Sequence, residues 1–231
     1  MNIAVIPARG GSKRIPRKNI KNFCGKPMIA WSIEAALESN CFERIIVSTD
    51  DDEIATVALS YGAEVPFMRP ESLSDNYVGT TAVVSHAVKW LIEHGEKLEN
   101  VCCLYATAPF VRSIDLQRGL ELLQTKECDY AFSVTSFTFP IQRAIRITQT
   151  QRVEMFQPEH FMTRSQDLEE AYHDAGQFYW GTNQAWLDEK SLFSNYSAPV
   201  ILPRYRVQDI DTQEDWQRAE WLFKALQAVG E

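Results

Sequence analysis

Two short segments of the 231-residue chain carry residue types and spacings that can do chemistry. The first is Ala8-Arg-Gly-Gly-Ser-Lys-Arg-Ile-Pro-Arg-Lys-Asn19. Adjacent glycines, Gly10 and Gly11, let backbone approach a phosphate closely, and Arg9, Lys13 and Lys18 supply the charge to hold it. Seven cations (Arg9, Lys13, Arg14, Arg17, Lys18, Lys21 and Lys26) precede the first acid, Glu34, in a protein of net charge −8. So many like charges in one stretch repel one another unless a counterion sits among them, which favours a small polyanion over a solvated turn. The acidic whole argues against a nucleic-acid polymer as the partner, because such binding needs broad phosphate neutralisation. The second segment holds Asp209 and Asp211, separated by one residue. In extended backbone their carboxylates share a face and suit one divalent cation whose other ligands are phosphate and water. The same spacing also suits a helix start, with Asp211 or Thr212 as the cap and Glu214 or Asp215 completing a capping box. Spacing alone leaves both readings open.

Other chemistries find little support. The basic loop has neither the GxxxxGK[ST] nor the GxGxxG spacing, so a P-loop NTPase and a nicotinamide enzyme are both disfavoured. His86, His94, His160 and His173 lack a zinc-ligand pattern. Five cysteines make an odd count without CxxC spacing and read as reduced thiols. Asp50-Asp51-Asp52 directly precedes an apolar helical pattern, so it reads as a helix start rather than a metal site. No order of Ser, His and Asp or of Cys and His suggests covalent catalysis.

Alternating strands and helices must position these segments. Residues 2–7 read as a strand, 27–39 as a helix, 44–48 as a strand, 51–61 as a helix, and 64–67 as a short extended piece. Helix at 80–94, strand at 101–105, helix at 114–124 and strand at 130–135 continue the rhythm, which predicts an α/β fold with a mainly parallel sheet covered by helices. After Ser136 the rhythm fails: residues 137–166 mix Pro140 and Pro158 with aromatic and polar residues, which predicts an irregular arm. Strands at 177–180 and 200–202 and an amphipathic helix at 212–228 close the chain. The expectation is one domain over residues 1–231 with an excursion at about 137–175. With no membrane-length apolar run and no leader-like N-terminus, a cytoplasmic protein without membrane contact is expected.

The stretch PARGGSKRIPRKN closely resembles the nucleotide-binding signature of the acylneuraminate (sialic acid) cytidylyltransferases. The resemblance continues through Arg44-Ile-Ile-Val-Ser-Thr-Asp50, Arg69-Pro70 with Leu73-Ser74-Asp75, Thr107-Ala108-Pro109 and Asp209-Ile-Asp-Thr212, nearly the whole chain. Within that group Thr163–Gly181 and the ending LPRYRVQDID resemble the branch that acts on pseudaminic acid, for bacterial surface glycans. One departure agrees: Tyr105-Ala-Thr-Ala-Pro109 stands where sialic acid enzymes typically have Gln-Pro-Thr-Ser-Pro, and that Gln resembles a sugar-contacting residue. Gln142 stands where some relatives have Lys, with Arg143 beside it able to replace the charge.

The resemblance implies a Rossmann-like nucleotide-diphospho-sugar transferase fold and a homodimer joined through the arm. It implies transfer of CMP from CTP to a nine-carbon keto-acid sugar with release of pyrophosphate. It places CTP against Ala8, Arg9, Gly10, Gly11, Ser12, Lys13, Lys18, Asn19, Arg69 and Thr80. It gives Lys13, Lys18 and Asp211 catalytic roles, and assigns Mg²⁺ or Mn²⁺ to Asp209 and Asp211. Tyr105, Arg143, Arg164, Gln166, His173 and Gln177 are candidates for the sugar, since a guanidinium fits a carboxylate bidentately. For Arg164 a surface pair with Asp167, Glu169 or Glu170 is an equal alternative, and for His173 an ordinary structural role. Sialic, legionaminic or eight-carbon keto-deoxy acids are alternative sugars. A glycosyltransferase of similar fold and a silent binding module are alternative classes, against which stand the missing mid-chain acidic motif and the intact basic loop and aspartate pair.

Overall fold

The computed structural model describes residues 1–75 and 78–230. It begins with β1 (Asn2–Pro7), the basic loop, a small ribbon of β2 (Asn22–Phe23) and β3 (Lys26–Pro27), and α1 (Met28–Ser39). Then come β4 (Arg44–Ser48), α2 (Asp52–Ser60), α3 (Thr80–Glu93), β5 (Asn100–Leu104), α4 (Ser113–Thr125) and β6 (Tyr130–Ser136). The arm carries β7 (Ile145–Ile147) and β8 (Val153–Met155), after which β9 (Tyr172–Thr182), α5 (Asn183–Leu187), β10 (Ser197–Ile201) and α6 (Gln213–Ala228) complete the chain.

Six strands form the central sheet in the order β10-β6-β9-β5-β1-β4. All neighbours are parallel except β9, which runs antiparallel to both β5 and β6. Helices cover both faces, and the strand alternation shows how. In β1, Ala4 and Ile6 pack with Ile29 and Ile33 of α1 and Leu116 of α4, whereas Ile3 and Val5 pack with Val84, Val88 and Leu91 of α3. In β5, Cys102 and Leu104 join the first face and Val101 and Cys103 the second. A strand buried on both sides must be apolar at every position, which is why β1 and β5 read as continuous runs. All five cysteines are free, and burial pushes the Cys103 thiol well up from its ordinary value.

A third apolar cluster determines where the chemistry meets. Ile15 from the basic loop, Phe23 and Met28 from its end, Ile210, and Trp216, Ala219 and Phe223 from α6 pack together. Edge-to-face ring pairs at 5.3 Å (Phe23–Trp216) and 5.4 Å (Phe23–Phe223) lock it. The final helix is thereby docked on the first loop, and the segment leading into it crosses the same place.

Two expectations change. The later strand expected at residues 177–180 is β9, eleven residues long and antiparallel, extended by a bulge between Phe132 and Val134 of its partner. The arm is not wholly irregular: β7 and β8 pair as an antiparallel ribbon, with Ile145 opposite Met155. Its side chains are largely exposed, so no core-facing alternation marked it in the sequence. Among the described residues no helix is long and apolar enough to cross a membrane.

Candidate active site

A cavity of about 300 Å³ opens where β1 ends at Pro7 and β5 passes into Tyr105, Ala106 and Thr107. In a parallel sheet the carboxyl ends of the strands and the following loops form such a crevice. Arg9, Ser12, Lys13, Arg14, Lys18 and Asn19 line it from the basic loop, Arg69 and Thr80 from the segments that follow, and Asp211 from the C-terminal approach.

The basic loop holds its shape through the acids that follow β4. Asp51 caps α2, accepting from the N–H groups of Glu53 and Ile54, and grips Arg17 through two contacts of 2.5 and 2.9 Å. Arg17, with φ at 56°, also pairs with Glu53, and beside it the Asp51 carboxyl is held below the usual carboxylate range. The Asp-rich run is therefore a cap and a clamp. Gly10 is required by this clamp: a Cβ there would lie 2.6 Å from Asp51 Oδ2. Its N–H donates to Asp50 Oδ1 at 2.9 Å, so in this structure an acid holds the Gly10 amide. A Cβ on Gly11 would meet nothing within 4 Å, which leaves that backbone open to a ligand. Ala8 is corrected: its side chain is wholly buried in the core and its N–H is taken by Ser48, so it supports the loop without lining the cavity.

The seven early cations divide by role. Arg17 is the clamp, Lys21 lies 4.5 Å over the Trp216 ring, and Lys26 lies 3.5 Å over Trp31 and pairs with Glu34. Arg9, Lys13, Arg14 and Lys18 face the cavity. Arg9 donates to the Asp75 carbonyl at 2.7 Å, and buried Asn19 braces the loop by donating to the Arg9 carbonyl at 2.9 Å. Arg69, 6% exposed, donates through Nε to Ser48 Oγ at 3.1 Å, and burial pushes its guanidinium down to about 10. Thr80 opens α3; the preceding Gly79 provides no side-chain cap, so the positive end of that 14-residue helix meets the cavity.

Asp211 closes the far wall. Its carboxylate lies 2.8 Å from Arg14 and 3.4 Å from Lys18, and Lys18 also donates to the Ile210 carbonyl at 2.7 Å. Residues nearly two hundred positions apart thus share one cavity. The helix-start alternative is resolved: Thr212 caps α6 and Asp215 completes the capping box, leaving the Asp211 carboxylate free of that duty. Asp209 does not line the cavity; its acid is pushed up first by burial and then by the Asp211 charge. Among the described residues no three His, Cys, Asp or Glu side chains cluster to hold a metal by themselves. Two crowded carboxylates fit a hard divalent ion that takes its other ligands from phosphate and water.

The sugar candidates separate. Tyr105 lines the cavity, with its hydroxyl 3.3 Å from Thr80 Oγ1. Gln177 is buried and donates to the Arg206 carbonyl at 2.6 Å, supporting the segment before Asp209 instead of lining the cavity. Arg143 lies 3.4 Å from Ser165 Oγ beside an apolar hollow in the arm, and exposed Arg164 pairs with Asp167 at 2.7 Å, the surface pair held open above. Gln166 is exposed on the arm, and His173 packs edge-on against Phe137 at 4.8 Å. Within one chain none of these five reaches the cavity. Arg14, Leu73, Val78 and Ala106 line it and were not singled out. Arg14 belonged to the visible run of cations, but nothing in that run separates it from Arg17.

A model of the cytidylyltransferase family matches residues 3–228. The chain is 49% identical over 223 residues to a pseudaminic acid cytidylyltransferase of Campylobacter jejuni, covering 96% of each chain. It is 35% identical to a CMP-N,N'-diacetyllegionaminic acid synthase of Legionella pneumophila, covering 97% of each. Its fold is similar to that of a solved CMP:2-keto-3-deoxy-manno-octonic acid synthetase complexed with CTP, with a TM-score of 0.68 at 17% identity, covering 97% of this chain and 98% of that one.

Proposed function

The chain belongs to the cytidylyltransferase family, and from that premise we propose that it joins CTP to pseudaminic acid, forming the CMP-sugar and pyrophosphate. The observation that carries the reading is the meeting of Lys13, Arg14 and Lys18 with Asp211 around one cavity. Such a site offsets the charge of a triphosphate and holds one carboxylate, Asp211, among the same cations.

The anomeric hydroxyl of the sugar attacks the α-phosphorus; an oxygen–phosphorus bond forms as the bond to the β-phosphate bridge breaks, the hydroxyl proton is released to solvent, and pyrophosphate leaves. Transfer of this type is served mainly by alignment and charge stabilisation. Lys13, Arg14 and Lys18 offset the charge on the phosphates, the start of α3 and the open backbone at Gly11 add donors, and Arg69 with Asn19 faces the nucleotide. Asp209 and Asp211 would hold Mg²⁺ or Mn²⁺, which when bound supplies further charge neutralisation at the phosphates. The identity to the Campylobacter jejuni enzyme and Tyr105 in the cavity wall favour pseudaminic acid over sialic acid.

A homodimer is part of the proposal. Phe139, Phe161 and Met162 are 79, 66 and 83% exposed, an apolar surface that a neighbour's body would cover. In such a dimer Arg143, Arg164, Gln166 and His173 would approach the partner's cavity.

The test is pyrophosphate release with each of four nucleoside triphosphates crossed with pseudaminic, legionaminic, sialic and eight-carbon keto-deoxy acids. Rapid release with CTP and pseudaminic acid is expected. Preference for UTP or GTP would overturn the nucleotide assignment, and preference for another acid the sugar.

A further inference from the structure

One buried arginine holds the segment that brings in the aspartates. Arg206 ends a short 3-10 turn (Arg204–Arg206), is 6% exposed, and precedes Asp209 by three residues. It is held from two sides. Its guanidinium donates to Asp115 through Nη1 to Oδ2 at 2.5 Å and through Nη2 to Oδ1 at 3.2 Å, and its carbonyl accepts from Gln177 Nε2 at 2.6 Å. Asp115, in the first turn of α4, and Gln177, in β9, are 1 and 3% exposed. None of the three side chains lines the cavity.

The two holding elements also build the cavity wall. The Gln177 carbonyl accepts the Tyr105 N–H at 2.9 Å, and α4 follows the loop that opens with Tyr105, Ala106 and Thr107, all three in the wall. Beyond Arg206 the next fixed points are Ile210, 2% exposed in the cluster with Phe23 and Trp216, and Thr212, the cap of α6. Asp209 therefore lies on a short span from Arg206 to Ile210, and Asp211 lies between Ile210 and the cap. A bidentate fork fixes angle as well as distance, and a buried ion pair is often no more stabilising than apolar side chains in its place. Its best-attested use is to fix register. Here the register it fixes is that of the carboxylate span against the Tyr105 wall.

We propose that Asp115, Gln177 and Arg206 are positioning residues that hold the Asp209–Asp211 span at the distance from the cavity wall where both carboxylates can take one divalent cation. The inference rests on the cytidylyltransferase reading above and on its assignment of the cation to this pair. A loosened span would spread the carboxylates over more positions, and binding the cation would then have to order them, which weakens it.

The test measures CTP binding by calorimetry twice, once in EDTA and once in Mg²⁺, so that the gain in affinity on adding the ion is read apart from turnover. Gln177→Met keeps the length of the side chain and removes its donor. It should leave the CTP Kd in EDTA unchanged and raise that in Mg²⁺ about fivefold, the loss of one buried hydrogen bond. Arg206→Lys keeps the charge but not the fork, and should cut the Mg²⁺ gain about tenfold. Ile33→Val, a core change in α1 remote from the span in sequence, lowers the thermal midpoint by ordinary loss of packing and should keep the full Mg²⁺ gain. An undiminished Mg²⁺ gain in folded Q177M overturns the inference, as does weakening of CTP binding by the same factor in EDTA and in Mg²⁺, or an equal loss of the gain in I33V. A wild-type protein that binds CTP equally well with and without Mg²⁺ overturns the cation assignment to the aspartates, and this inference with it.

Discussion

The basic loop and the arm both carry arginines, but they hold them by different means. In the loop, Arg14 and Lys18 are aimed at Asp211 by a surrounding frame: the Asp51–Arg17 clamp on one side and the Ile15–Ile210–Trp216 cluster on the other. In the arm, exposed Arg143 lies 3.4 Å from Ser165 Oγ and exposed Arg164 pairs with Asp167, both partners on the same segment. The loop is organised before a ligand arrives, so its binding energy is not spent on ordering side chains; the arm still has to be ordered. On the proposed function, a shared nucleotide meets the framed loop and a varying sugar meets the part of the chain least constrained by packing.

The largest expected effect breaks the rigid side. Asp211→Ala should lower the chemical rate about a thousandfold while CTP still binds through the cations, measured by rapid quench beside CTP titration. Near-normal turnover would remove Asp211 from the chemistry. Gly10→Ala drives a Cβ into Asp51, whose carboxylate is already pinned by Arg17 and the α2 amides, so a loss of about 1–3 kcal/mol in denaturant unfolding and a raised CTP KM are expected. An unchanged midpoint would show that the clamp yields freely.

The clamp also has a pH signature. Arg17 lowers the folded-state pKa of Asp51, so its contribution is present above the unfolded carboxylate value, about 4, and is lost as pH falls through the folded one. Asp51→Asn keeps a capping oxygen but not the charge, and its stability should fall less steeply than the wild type's below about pH 4 in acid titrations followed by circular dichroism. Parallel acid limbs would deny the clamp its role. The smallest effect belongs to the arm: Arg164→Ala breaks an exposed pair and should change stability by less than about 1 kcal/mol. It should raise the sugar KM and leave the CTP KM alone; equal shifts in both would erase the division between the two regions.

Much of this was legible in the chain. β1, β4, β5 and β6 announced themselves because strands buried on both faces need unbroken apolar runs, and α6 because a docked helix needs one apolar stripe. The direction of β9 was not legible: antiparallel and parallel pairing place the same residues on the same faces, and the choice is made by the long arm that returns the chain from the other side. Gln177 misled for a related reason, since a buried amide supporting the Arg206 carbonyl looks no different in sequence from one reaching for a sugar.

By themselves the residues determined that a cationic loop follows the first strand and that a carboxylate pair precedes the last helix, because charge density and period are local properties. Only the tertiary structure decided which cations face inward and which carboxylate stands opposite them. That choice depends on contacts across nearly the whole chain, through Ile15, Phe23, Ile210 and Trp216, whose packing no local pattern encodes.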